Sequence, residues 1–287
     1  MIVTRAGDDT IVLDNVQHFY LEHIFESGQC FRWNSSSEGG YIGVAMGHVL
    51  EIRQQGPNVV LHPCTMEEFE RVWRRYFDLD TDYGAIKHGL AGDPTLDKAM
   101  EFGYGMRLLH QDPWECLISF IISANNRIPR IKGIIEQLSM RYGNPLEYKG
   151  RIYYDFPYPN ELAGHTPDEI CECRCGYRAP YIVETARIIA SGEIDLEAIE
   201  SMEYHEAHRA LMKLPGVGPK VADCVLLFGM GKGEAFPVDV WIKRVVEQLY
   251  LPNASLKDIK KWAYQRFGRL AGIAQQYLFY YIRENSR

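Results

Sequence analysis

The stretch "LPGVGPKVADCVLLF", Leu214 to Phe228, decides the reading of this chain. Pro215, Gly216 and Gly218 crowd a short turn, and an apolar helical pattern begins at once behind them. The preceding "EYHEAHRALMKL" repeats apolar residues at the same helical spacing. Residues 203–228 therefore read as helix, tight turn, helix. Glycine permits positive φ and a close backbone approach. Pro219 suits the first turn of the second helix. The unpaired N–H groups at that helix start carry partial positive charge, which suits a phosphate. Such a hairpin grips a nucleic-acid backbone without reading its sequence.

Lys220 stands at the mouth of the second helix. A P-loop would require Ser or Thr after the lysine, and Val221 follows instead. "FGMGKGEAF" fails for the same reason. A cation at a helix N-terminus opposes the macrodipole, and burial would further favour the neutral amine. A neutral amine is a nucleophile that can form a Schiff base. Downstream, "AFPVDVWIKRVVEQLY" places Asp239 directly before another helix, where it can cap. Lys220 and Asp239 are 19 residues apart, about one helix and a loop, so two helix starts can share one cleft. Taken singly, a surface lysine in an αα turn and a plain capping aspartate remain open readings.

The chain has 287 residues and a net charge of −7. The length suits one large domain or two packed ones. The overall charge argues against a generic polyanion binder, but residues 205–287 hold 13 Lys and Arg against 7 Asp and Glu. That end is locally basic and could face phosphates. "MIVTRAGDDTIV" lacks a secretory pattern, and no apolar run is long enough to span a bilayer. A cytoplasmic location without membrane contact is expected. The seven cysteines include Cys171, Cys173 and Cys175 as C-x-C-x-C, which reads as reduced thiols on a short helix.

"TIVLD" and "YIGVAMGHVLEIRQQGPNVVLHP" read as strands broken by turns. "TMEEFERVWRRYFDLD" reads as a helix capped by its threonine. After about residue 105 the helical pattern is nearly unbroken. The fold class is α+β: an N-terminal antiparallel β-sheet with helices over 1–111, then a mostly α helix-hairpin-helix domain over 112–287.

The hairpin and the downstream "PVDV" together resemble the helix-hairpin-helix, Gly/Pro…Asp superfamily of DNA glycosylases. "SGQCFRW" (27–33), "LLHQDPWECLISFIISANNRIPRI" (108–131), "GYRAPYI" (176–182) and "GIAQQYLF" (272–279) look like the 8-oxoguanine DNA glycosylase family. The resemblance implies a base-excision repair enzyme, both N-glycosylase and abasic-site lyase. It would act as a monomer on double-stranded DNA carrying 8-oxoguanine, preferably opposite cytosine. Lys220 would attack C1′ and Asp239 would stabilise the positively charged sugar. Gly28, Cys224, Gln275 and Phe279 would form the base pocket, Gly28 through a carbonyl that detects the N7 hydrogen.

Asn125 would fill the hole left by the flipped base, with Tyr177 as wedge. Arg130 and Arg178 would read the orphaned cytosine. Gly216 and Gly218 would hold phosphate, and a hard cation would sit on the carbonyls of Met212, Leu214 and Val217. No cofactor is required. The four-cysteine iron–sulfur set of the related endonuclease III family is missing, because the last cysteine is Cys224. Trp241 departs from the pattern. It stands where animal relatives carry a phosphate-contacting histidine, and tryptophan has a single donor and no charge. A non-catalytic DNA-gripping hairpin and a glycosylase for alkylated bases are the competing readings. Neither accounts for Lys220 together with the pocket motifs.

Overall fold

The computed structural model describes residues 1–285. Six antiparallel strands form one sheet in the order β1-β2-β6-β5-β4-β3. They are β1 (Ile2–Arg5), β2 (Ile11–Asp14), β3 (Trp33–Ser35), β4 (Tyr41–Ala45), β5 (His48–Gln55) and β6 (Asn58–His62). Alternation decides which face is buried. Ile11 and Leu13 of β2, Leu50 and Ile52 of β5, and Val59 and Leu61 of β6 are all fully buried. The register sets Ile11 opposite Leu61 and Ile52 opposite Leu61 on its other side. The apolar face is closed by Trp73, Tyr76 and Phe77 from the helical segment that follows Thr65. Thr65 caps that segment in a box with Glu68, as its sequence predicts.

The rest is mostly helical. The apolar packing crosses the boundary expected at residue 111. Helices Tyr83–Leu90 and Pro94–Phe102 pack on the C-terminal helices, in a cluster with Phe236, Ile242, Ala274 and Tyr277. A second cluster holds Pro113–Ser123 against Pro219–Phe228, the helix that carries Lys220.

The helical part is also interrupted. A two-stranded hairpin, β7 (Pro145–Tyr148) and β8 (Arg151–Tyr154), turns through Lys149 and Gly150, both at positive φ. It leans on the sheet, with Tyr148 packed on Val44 and Val49. Glu51 of β5 receives Tyr148 Oη at 3.0 Å, Lys149 Nζ at 2.8 Å and Ser36 Oγ at 2.9 Å. Burial pushes the Glu51 carboxyl up, but these bonds and the one from Arg53 outweigh it and hold it at about 2. Cys171 is exposed, whereas Cys173 and Cys175 are buried and burial raises both thiols. Among the described residues no helix is long and apolar enough to cross a membrane.

Candidate active site and DNA interface

The hairpin folds as its residues require. Helix Tyr204–Leu211 ends at Met212, and helix Pro219–Phe228 starts behind Gly218. Gly216 has φ +78, and a Cβ there would press on the Tyr181 ring at 3.0 Å. Gly218 is different: its φ is −90, and a Cβ would meet nothing. Only Gly216 thus needs the left-handed region. As N-cap, Gly218 makes no side-chain bond, so it does not itself cover the helix start. Met212 is exposed, while Leu214 and Val217 are buried. The Leu214 carbonyl accepts Val217 N–H at 3.2 Å inside the turn. A carbonyl has two lone pairs, so this bond is compatible with ion contact. Among the described residues no group of three His, Cys, Asp or Glu side chains could hold a metal.

Lys220 and Asp239 line one cleft of about 810 Å³. Lys220 Nζ lies 5.0 Å over the Phe120 ring and donates to Ser123 Oγ at 3.5 Å. Asp239 caps helix Val240–Leu249, its Oδ1 accepting Trp241 N–H at 3.0 Å and Ile242 N–H at 2.8 Å. Both cap bonds end on Oδ1, so Oδ2 takes part in neither. Burial raises the Asp239 carboxyl above its ordinary range, against the pull of the two amides and Lys220. The cap and the cleft position coexist, as the spacing predicts.

A second, smaller recess shares these two residues with the cleft. Gly28, Cys224, Gln275 and Phe279 all line it. Cys224 is buried, and burial pushes its thiol up to about 11, so it is an uncharged wall at neutral pH. Gln275 is buried, and its Oε1 has no hydrogen-bond partner among the described residues. An unpaired buried acceptor costs free energy unless a ligand meets it. Gly28 has φ +85. The turn around it is held by residues that the sequence motifs contain but do not single out. Gln29 is fully buried and donates to the carbonyls of Ile24 and Arg107 at 2.9 and 2.8 Å. Gln276 donates to the Ser27 carbonyl at 2.9 Å. For Gln276 the sequence signal is a polar residue within a largely apolar helix, whereas Gln29, behind Glu26, Ser27 and Gly28, carries none.

Of the residues expected around the flipped base, Asn125, Tyr177 and Arg178 meet at one loop. Asn125 is exposed at φ +50 and lines the cleft. Tyr177 is exposed and donates its hydroxyl to the Ala124 carbonyl at 3.3 Å. Arg178 departs from a surface fork. It is only 3% exposed, and its guanidinium donates to the carbonyls of Ala124 and Asn125. To reach a cytosine it would have to release that loop. Arg130 is exposed on helix Ile128–Tyr142 and is not among the residues that line the cleft. Trp241 and Lys243 do line it, and Arg244 lies 5.6 Å over the Trp241 ring.

Behind the lysine helix lies a polar cluster with no sequence motif. Asp223 is fully buried, with Lys260 Nζ at 2.6 Å and Tyr204 Oη at 2.7 Å. His208 Nε2 is 3.4 Å away.

Residues 11–117 match the 8-oxoguanine DNA glycosylase N-terminal domain, and residues 118–266 match the HhH-GPD superfamily of base excision DNA repair proteins. A probable N-glycosylase/DNA lyase of Methanothermobacter thermautotrophicus is 36% identical over 76% of this chain and 75% of its own length. The N-glycosylase/DNA lyase of Saccharomyces cerevisiae is 32% identical over 86% of this chain and 72% of its own. The crystal structure of Clostridium acetobutylicum 8-oxoguanine glycosylase/lyase, bound to double-stranded DNA with cytosine opposite 8-oxoguanine, superposes with a TM-score of 0.97. It is 48% identical and covers 100% of this chain and 99% of that one. With both halves matched in order and the cleft built from both, the chain belongs to the 8-oxoguanine DNA glycosylase family of the HhH-GPD superfamily.

Proposed function

We propose that this enzyme flips 8-oxoguanine out of double-stranded DNA, removes it, and then cleaves the strand at the abasic sugar. The observation that carries the reading is the convergence of Lys220 and Asp239 on a cleft that opens into the Gly28, Cys224, Gln275 and Phe279 recess. Lys220 attacks C1′ through its amine lone pair and gives up a proton. The N9–C1′ bond breaks, and its electron pair leaves with the base, which takes up a proton. Charge building on the sugar faces the Asp239 carboxylate in a water-poor site. Nitrogen then opens the sugar ring to an imine. Loss of a C2′ proton expels the 3′ phosphate, and water releases the lysine.

Phe279 and Cys224 sandwich the flipped base, and Gln275 pairs with its Watson–Crick edge. The Gly28 carbonyl accepts from N7–H, which guanine lacks. Asn125 and Tyr177 fill the gap in the stack. Arg130 meets the orphaned cytosine, joined by Arg178 once it releases the loop. The helix start at Gly218 takes a phosphate, and a hard cation on the carbonyls of Met212, Leu214 and Val217 would add positive charge there.

Borohydride trapping on a duplex with one 8-oxoguanine opposite cytosine tests the reading. A covalent adduct is expected from the parent enzyme and none from Lys220→Gln. No adduct from the parent, or an equal one from the variant, overturns the lysine mechanism.

A further inference from the structure

Arg283 belongs to none of the sequence motifs, yet it lines the Lys220 and Asp239 cleft, at the rim that Gly28 and Phe279 share with the recess rather than in the recess itself. It is 9% exposed. Nη2 donates to the Glu26 carbonyl, and Nε donates to Glu284 Oε1 at 2.9 Å. The guanidinium centre sits 5.4 Å from the Phe279 ring and 5.5 Å from the Tyr280 ring. Two bonds and two ring faces thus fix the fork. Nη1 is left over: it is buried and has no hydrogen-bond partner among the described residues.

The position of Nη1 is specific. A Cβ on Gly28 would stand 2.6 Å from it. Nη1 therefore lies beside the Gly28 backbone, in space that any other residue at 28 would occupy. The glycine is needed for its φ of +85 and also to leave room for this guanidinium.

An 8-oxopurine presents two adjacent groups that guanine does not: a donor at N7–H and an acceptor at O8. Their complement is an acceptor next to a donor. The Gly28 carbonyl is the acceptor in the functional reading, and Nη1 is a buried, charged donor next to that residue. We propose that Arg283 is a specificity-determining residue whose Nη1 donates to O8 of the flipped base. The inference rests on the proposed substrate and extends it. Guanine carries C8–H at this point, so its entry would leave the buried donor unpaired. A phosphate would suit a guanidinium as well. However, Nη1 is buried against Gly28 and the Phe279 ring, the two groups proposed to hold the base.

Single-turnover removal of 8-oxoguanine and of 8-thioguanine by the parent, Arg283→Met and Arg283→Lys tests this. 8-Thioguanine keeps N7–H and replaces O8 by a weaker acceptor. Cleavage of a preformed abasic site, which has no base to recognise, reports fold and lysine chemistry. The parent is expected to favour the oxo base by about tenfold or more. Arg283→Met should lower oxo removal by a similar factor, with thio removal and abasic cleavage within about threefold. Arg283→Lys, which keeps a donor and the charge, should fall between.

Equal losses on all three substrates mark a structural role and overturn the proposal. So does an unchanged oxo-to-thio ratio in both variants, or a parent without preference. A rise in thio removal marks relief of crowding and overturns it too. If Arg283→Met does not fold, an unchanged ratio in Arg283→Lys still overturns it. Loss confined to DNA binding in proportion to salt assigns Nη1 to a phosphate and overturns it. Failure of the parent to remove 8-oxoguanine overturns the functional reading itself. Removal with an unaltered ratio in the variants overturns only the role of Arg283.

Discussion

Asp223 Oδ2 lies 2.6 Å from Lys260 Nζ, on the lysine helix one turn beyond Lys220. The pair joins that helix to helix Leu256–Phe267, and Tyr204 joins both to the first helix of the hairpin. Three helices are therefore referenced to one buried carboxyl. Burial pushes this carboxyl up, against the pull of Lys260. Removing one member of such a pair leaves its partners unmatched. Asp223→Ala is expected to lower stability by about 2–4 kcal/mol, and Asp223→Asn by less. Urea unfolding measures both. At equal folded fraction, the trapped adduct should form more slowly in Asp223→Ala, because Lys220 loses its fixed axis. An unchanged trapping rate would show that the cluster supports the fold only.

Asp239 has the opposite balance between stability and activity. Its carboxyl lies above the ordinary 3.8, with burial as the main cause. The folded chain thus holds this proton more tightly than the unfolded chain does. Stability contributed at this site falls as pH rises from 3.8 through the folded value, and the ionised group is a cost above it. Asparagine can still accept the Trp241 and Ile242 amides through its oxygen. Asp239→Asn should therefore melt at an equal or higher temperature than the parent at pH 7, with the gap widening from pH 4 to pH 7. Base removal should drop by about a hundredfold or more. In the parent, activity should fall on acidification at a higher pH than an ordinary aspartate would give. Melting curves and single-turnover rates across that range check each sign.

Gly28→Ala tests the narrowest part of the pocket. Alanine must adopt φ +85, and its Cβ would meet Arg283 Nη1 at 2.6 Å and Phe279 at 3.2 Å. The strain costs about 1 kcal/mol. Displacing Phe279 and the guanidinium should cost more in function than in stability. Removal of 8-oxoguanine is expected to fall by about a hundredfold, while cleavage of a preformed abasic site changes far less. Equal losses on the two substrates would mean that the turn is deformed as a whole.

The hairpin, Lys220 and Asp239 were legible in sequence because each obeys a local rule: turn residues, helix start, cap. The pocket was legible only through resemblance, since Cys224 and Phe279 look like core in any periodic helix. Other features left no local signal. The β7–β8 hairpin turns on Lys149 and Gly150, a weaker turn signal than Asn-Gly, inside a run of helices. Gly216 and Gly218 look equivalent in sequence, yet only one takes positive φ. Arg283 reads as a surface cation near the chain end. Its burial depends on the Gly28 turn, more than 250 residues away.

Arg130 and Arg178 should separate on the opposite base. Arg130 is exposed, so Arg130→Ala should reduce only the preference for cytosine, with little effect on stability. Arg178 is buried and donates to the Ala124 and Asn125 carbonyls. Arg178→Ala removes these bonds and leaves the Ala124 carbonyl with the Tyr177 hydroxyl, so the loop is held less firmly. Excision should fall with every opposite base, in addition to any loss of cytosine preference. Single-turnover rates with each of the four opposite bases distinguish the two patterns. If Arg178→Ala changes only the cytosine rate, the loop does not depend on it.

Trp241 cannot supply a charge to a phosphate, and its backbone N–H is already taken by Asp239 Oδ1. The cleft edge carries another candidate. Lys243 is 49% exposed and lines the cleft two residues further along the same helix. Its charge is partly matched by Glu247 at 3.8 Å, a weak surface pair. A phosphate in the cleft would compete for it. Lys243→Ala should therefore weaken binding of undamaged and damaged duplex by the same factor. The slope of log affinity against log salt should become shallower by about one. Trp241→His, whose imidazole gains a second N–H donor and a charge on protonation, should strengthen binding, more so at pH 6 than at pH 8. Salt titrations of both variants decide the matter. An unchanged slope in Lys243→Ala would place the phosphate elsewhere, and no gain from Trp241→His would show that the indole occupies a site the backbone does not approach.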